Sequence, residues 1–261
     1  MSQIRFRYKR SNLIEPFKMK KIALLLLVFP LSSCIEMQQV INQLPQTQSI
    51  GTLDISDGLK EALNNGISKQ VTKLTAVDGF YKNEAVKILL PEELKKVDSS
   101  LRKIGLSSLA DEGLKVLNRA AEDAVKESTP IFIDAVKNMS FTDAKTILMG
   151  NENSATTYLQ NSTSTALYGK FNPVIKNSFT KVGADKVWAN IITKYNGIPF
   201  VKKVNPDLTD YTTNQALVGV FKMIAVEEKN IRTNLNSRTS PLLQSVFALQ
   251  DKNKSVLPFK Y

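Results

Sequence analysis

An all-α fold, one multi-helix domain behind a cleaved leader and a polar tether, is what three features of the chain predict. Apolar residues recur three or four apart through most of residues 53–248, which places them along one face of a helix. Proline and glycine fall between the periodic windows, where they start and stop helices. With a single cysteine and no histidine in 261 residues, neither a disulfide framework nor a histidine metal cluster organises the fold, so packing must.

The leader comes first. Lys18, Lys20 and Lys21 precede the apolar run Ile22 to Leu31, then the small residues Ser32 and Ser33, then Cys34. That run falls well short of the roughly 20 residues a membrane-spanning helix needs, and Pro30 interrupts it. Cleavage is expected before Cys34, removing residues 1–33 and leaving the cysteine as a lipoprotein attachment site, acylated on its thiol and new amino terminus. Met19 gives a leader of ordinary length and is the expected initiator. Each buried methylene of an acyl chain contributes about 0.8 kcal/mol, so the anchored protein needs no further membrane segment. Ile35 follows the cysteine in place of the aspartate that retains Gram-negative lipoproteins in the inner membrane, which points to the outer membrane and its periplasmic side.

Residues 34–52, rich in glutamine and asparagine, read as the tether. From Asp54 or Ser56, either able to cap, a helix carries Ile55, Leu59, Ala62, Leu63, Ile67, Val71 and Leu74. Asp78-Gly79 marks a turn. Val86 to Leu90 reads as a short strand, pairing with the stretch near Phe200 to Lys203. Pro91-Glu92-Glu93 opens a helix with Leu94, Val97, Leu101 and Ile104, closed by Gly105. Leu109 to Lys126 and Thr129 to Met139 follow. Ser140 and Asp143 form a capping box for a helix to Met149. Further helices are expected over Thr156 to Lys170 and Pro173 to Val187, the second starting at its proline. Asn205-Pro206-Asp207 opens the last long helix, with Tyr211, Leu217, Phe221, Ile224, Glu228 and Ile231 on one side. A cluster of Leu242, Leu243, Val246 and Phe247 ends the domain, and residues 249–261 read as a loose tail.

Composition excludes several functions. The chain carries 35 basic and 24 acidic side chains, a net charge of +11, but residues 1–33 hold seven of the basic groups and one acidic, so the mature chain keeps only +5. Without a basic-aromatic cluster, nucleic acid is not an expected partner. Absent histidine removes serine-histidine-acid triads, histidine zinc sites and the usual general base near neutral pH. The one thiol is committed to lipid, so no metal and no cofactor is expected.

Six segments resemble a known family: Asp54 to Leu63, Asn118 to Glu122, Asp143-Ala144 before Ile147 to Gly150, Ala155 to Tyr158, Phe171 to Val174, and Ala225 to Arg232. In this order they resemble the bacterial family called domain of unknown function 4197, over roughly Leu53 to Phe247. The resemblance implies a helical, envelope-associated protein and brings no reaction, cofactor or partner. Ala248 stands where a glycine tends to follow the Val-Phe pair.

Candidate site residues cluster on two helices. Asn118, Glu122 and Lys126 lie at four-residue spacing beside Arg119, on a helix otherwise rich in alanine and leucine. Glu228 and Arg232 share that spacing and are the expected partners in a partly buried polar network, a structural reading preferred to a ligand site. Adjacent Glu227 and Glu228 diverge by about 100° on a helix and cannot converge on one substrate atom. The hydroxyl-rich stretch Thr156 to Thr165 lacks a base to activate it. No catalytic residue stands out. The expected role is binding of a protein partner or a hydrophobic ligand; the alternative is a carboxylate- or lysine-based hydrolase acting on envelope material.

Overall fold

A computed structural model describes residues 51–256 except Ile104, Leu106, Ile198, Val201 and Pro206. The leader, Cys34, the tether to residue 50 and residues 257–261 lie outside the described residues. Nine helices occur among those described: α1 (Thr52–Thr75), α2 (Glu92–Lys103), α3 (Ser107–Val125), α4 (Ser128–Lys137), α5 (Phe141–Met149), α6 (Ser154–Lys181), α7 (Ala184–Asn196), α8 (Thr209–Thr233) and α9 (Pro241–Val256). A single 3-10 turn, Leu235–Ser237, joins α8 to α9. The domain is all-α, and no strand occurs among the described residues.

Helix α1 starts at Thr52, two residues before Asp54, because the Asp54 carboxylate accepts from the Gly51 N–H at 2.8 Å and so caps from inside the first turn. It buries Leu59, Ala62, Leu63, Ile67, Val71 and Leu74 along one face. That face packs on α8, α5, α4 and α9. The central layer is α8 against α6, flanked by α1 and α3. Phe132 of α4 meets Phe221 of α8 edge to face, centroids 6.0 Å apart. The turn after α1 holds Asp78 at φ 69°, and a side chain at Gly79 would collide with the backbone carbonyls of Lys73 and Leu74.

Four expectations need correction. The break predicted at Pro173 is absent: α6 runs unbroken through it. Leu159, Thr163, Leu167, Phe171, Ile175 and Phe179, at four-residue spacing, are all buried, so tertiary packing holds one helix across the proline. The carbonyl that loses its partner belongs to Gly169, and Gly169 and Pro173 are both exposed, so water can satisfy it. The real stop comes at Gly183, φ 67°.

The predicted β pairing does not form among the described residues either. Lys87 to Leu90 has no regular secondary structure, and the Ile88 N–H and C=O are both satisfied by the side-chain amide of Asn118, at 2.8 and 2.9 Å. The Asn196 amide does the same for Val204, at 2.8 Å in each direction. In each segment a helix-borne carboxamide supplies both the donor and the acceptor that a neighbouring strand would have offered.

The last long helix begins at Thr209, not at Asn205, because the Asp207 carboxylate accepts from the Thr209 N–H at 2.8 Å and stops short of the helix itself. The expected tail is partly helix: α9 extends to Val256, past the boundary at residue 248. Gln250 and Asp251 are drawn in by Arg232 and Arg238.

Candidate functional site

Helix α3 turns Asn118, Arg119 and Glu122 toward the connection between α1 and α2. Glu122 is buried, and its carboxylate accepts from the N–H groups of Phe80 at 3.0 Å and Tyr81 at 3.3 Å, and from Arg119 Nη1 at 2.6 Å. The other arm of Arg119 donates to Asp78 at 2.6 Å. Lys82 also pairs with Asp78, at 2.8 Å. The Lys82 ammonium, with Arg119 behind it, holds the Asp78 carboxyl below its usual range, and the bond to Glu122 raises Arg119 above its own. Together with Asn118 on Ile88, this network fixes the α1–α2 connection onto α3. Lys126 takes no part and pairs with Asp123 at the surface.

A second network sits at the far end of α8. Glu228 accepts from the N–H groups of Ala155 and Thr156, at 2.9 and 2.8 Å, and from the Thr156 hydroxyl at 2.8 Å. These are donors of the first turn of α6, which the α6 sequence does not cap for itself. Arg232 donates to the carbonyls of Ile147 at 2.7 Å and Leu148 at 3.1 Å, the end of α5, and to Gln250 at 2.6 Å. The two side chains form an ion pair at 2.9 Å, with only 5% and 1% of their side-chain surface exposed. A carboxylate at a helix start and a guanidinium at a helix end each complement the local dipole. Arg238 repeats the device, donating to the Ile231 and Arg232 carbonyls at the end of α8 while pairing with Asp251.

The expected partnership of Arg119 and Glu122 with Glu228 and Arg232 does not form. Among the described residues no hydrogen bond or ion pair joins the two sets, because the α3 stripe faces the α1–α2 connection while Glu228 and Arg232 face the α5–α6 junction. Glu227, buried beside Glu228, turns instead to α1, where it accepts from Lys69 at 2.6 Å and Gln70 at 2.7 Å. Ser140 Oγ accepts from the Asp143 N–H at 3.1 Å while the Asp143 carboxylate accepts from Ser140 N–H at 3.1 Å, both bonds of a capping box. The Ser140 hydroxyl and backbone keep the Asp143 carboxyl below its usual range. Sequence reasoning missed Arg238, Asp251, Asp78 and the Lys69–Gln70–Glu227 contact. No periodic pattern marks them, since each depends on which loop lands beside which helix.

Among the described residues no three acidic or thiol groups gather where a metal could be held, and no helix is long and apolar enough to cross a membrane. A small cavity lies between α1, α8 and α9, lined mostly by aliphatic groups with Glu227 and Glu228 at its edge; its volume is about 30 Å³.

Against known proteins, the family described as "Protein of unknown function (DUF4197)" matches residues 49–248. The chain belongs to this family. Nothing matches among curated proteins or among solved structures. The DUF4197 match contains both capping networks except for Gln250 and Asp251, which α9 carries beyond its end.

Proposed function

We propose that this protein is a lipid-anchored helical module of the cell envelope, held by acyl chains on Cys34 at the periplasmic face of the outer membrane, and that it works by binding a protein partner. The fate of the buried charges carries this reading. Glu122, Glu228, Arg232 and Arg238 are each engaged by helix ends, loop N–H groups or one another, and Glu227 by the Lys69 and Gln70 side chains of α1. A carboxylate- or lysine-based hydrolase would need two such groups converging on open space, and Glu227 and Glu228 point to different helices. The cavity between α1, α8 and α9, about 30 Å³, is far below the roughly 300 to 1,000 Å³ of small-molecule sites, which favours an outer surface over an enclosed hydrophobic ligand.

The test is crosslinking in intact cells, with the captured species identified and compared between the parent and Cys34→Ser. The expected result is one discrete protein adduct that depends on the anchor. Hydrolysis of purified envelope material by the parent, lost on removal of Glu227 or Glu228 with folding intact, would overturn the reading.

A further inference from the structure

The groove between α5 and α6 collects the polar side chains that the capping networks leave free. It measures about 390 Å³, within the roughly 300 to 1,000 Å³ usual for small-molecule sites. Thr146 of α5, Thr157 and Asn161 of α6, and Asn151 and Asn153 between them line it, with the half-buried ring of Tyr158 as one wall. None of the three carboxamides or two threonine hydroxyls bonds to another described residue. Four neighbouring hydroxyls on α6 are taken: Thr156 donates to Glu228, and Ser162, Thr163 and Ser164 donate to carbonyls of their own helix. Thr157 of the hydroxyl-rich stretch faces the groove.

The chemistry of the lining selects a ligand class. A carboxamide presents a donor and an acceptor in one plane, the complement of two neighbouring hydroxyls or of an acetamido group on a sugar ring. An aromatic wall covers the C–H face of such a ring. No lysine or arginine lines the groove, and its single carboxylate, Asp143, is engaged by Ser140 and carries negative charge, which favours a neutral ligand over an anion. The Tyr158 hydroxyl donates to the Ala135 carbonyl at 3.4 Å, so the ring serves the groove as an apolar wall. We propose that this groove binds a neutral acetamido saccharide through Asn151, Asn153 and Asn161. The assignment does not rest on the partner-binding reading.

The test titrates a soluble β-1,4-linked N-acetylglucosamine trimer into the full processed chain, held in a detergent without a sugar headgroup, and reads the heat of binding. Asn153 makes no capping bond and Asn161 is exposed on a helix, so alanine at either site leaves the melting curve in place. Asn153→Ala and Asn161→Ala are each expected to weaken binding about three- to tenfold. Gln160→Ala, exposed on the same helix outside the groove, should leave it unchanged. Sedimentation with purified insoluble wall glycan then separates the sources: co-sedimentation lost in Asn161→Ala assigns a polymer strand, and binding of the trimer alone assigns a free saccharide. Absence of any heat at millimolar trimer, binding indifferent to both asparagine variants, or tighter binding of an uncharged Ser-Gly repeat peptide would each overturn the assignment.

Discussion

Replacing Arg232 and Glu228, singly and together, distinguishes an ion pair from a helix cap. Arg232→Met removes one salt bridge and the donors to Ile147, Leu148 and Gln250, all in a site where the guanidinium is 1% exposed. Removing one member of a buried pair costs about 3 to 5 kcal/mol. For a domain of this size, each kcal/mol moves the melting midpoint by about 2 to 4 °C, so the drop should be roughly 6 to 20 °C. Exchange of a whole buried pair for apolar residues is often neutral or stabilising, because both charges avoid desolvation. Here that exchange should fail. Glu228→Leu with Arg232→Met strands the Ala155 and Thr156 N–H groups at one helix start and two carbonyls at another helix end, each costing about 1 to 3 kcal/mol if unsatisfied. The double variant should therefore melt no higher than Arg232→Met alone, as followed by far-ultraviolet circular dichroism. Recovery to within about 2 °C of the parent would show that the capping contacts contribute nothing and would refute the argument.

Arg119→Ala should cost less, about 1 to 2 kcal/mol by chemical denaturation, because its side chain is 31% exposed and Glu122 keeps two backbone donors. A loss equal to that of Arg232→Met would contradict this ranking. Asn118→Ala should cost about 2 to 4 kcal/mol, since the buried Ile88 loses partners for both its N–H and its C=O; hydrogen exchange at the Ile88 amide should accelerate far more than at Val204. In acid, the carboxyls of Asp78, Asp143 and Asp207, all lowered by hydrogen bonds in the folded state, contribute stability above their unfolded pKa near 4 and lose it as the pH falls through their depressed folded values. The midpoint should stay level down to about pH 4 and then decline, with a shallower decline in Asp143→Asn; an identical acid limb in that variant would rule Asp143 out.

Periodic features were readable from the chain and long-range ones were not. The apolar stripe of α1 and the Ser140–Asp143 box depend on residues within two or three turns, so spacing alone places them. Pro173 misled because a local rule met a six-residue buried stripe that continues on either side of it. The apolar run Val86 to Leu90 was legible as non-helical chain, but the partner of Ile88 is a side chain thirty residues away, and Val204 is held in the same way by one eight residues away, which no strand pattern announces. For the polar residues, type and spacing marked Asn118, Glu122, Glu228 and Arg232 as more than solvated surface. Which of them would meet depended on helix packing, and the four fall into two networks.

The caps at the α5–α6 junction span great distances along the chain: Glu228 lies 72 and 73 residues from the donors it serves, and Arg232 lies 84 and 85 from its carbonyls. During synthesis the middle helices therefore emerge well before the side chains that close them. Until Glu228 and Arg232 have emerged, the Gly150 to Asn153 corner has no clasp and offers itself to proteases and chaperones. Stalled chains ending before residue 228 should be nicked at this corner by a protease that spares the finished protein. Equal resistance in both would mean that the corner closes on local contacts alone. In the finished domain the order of events is hidden, since a chain cut there would still be held on both sides of the break by one helix.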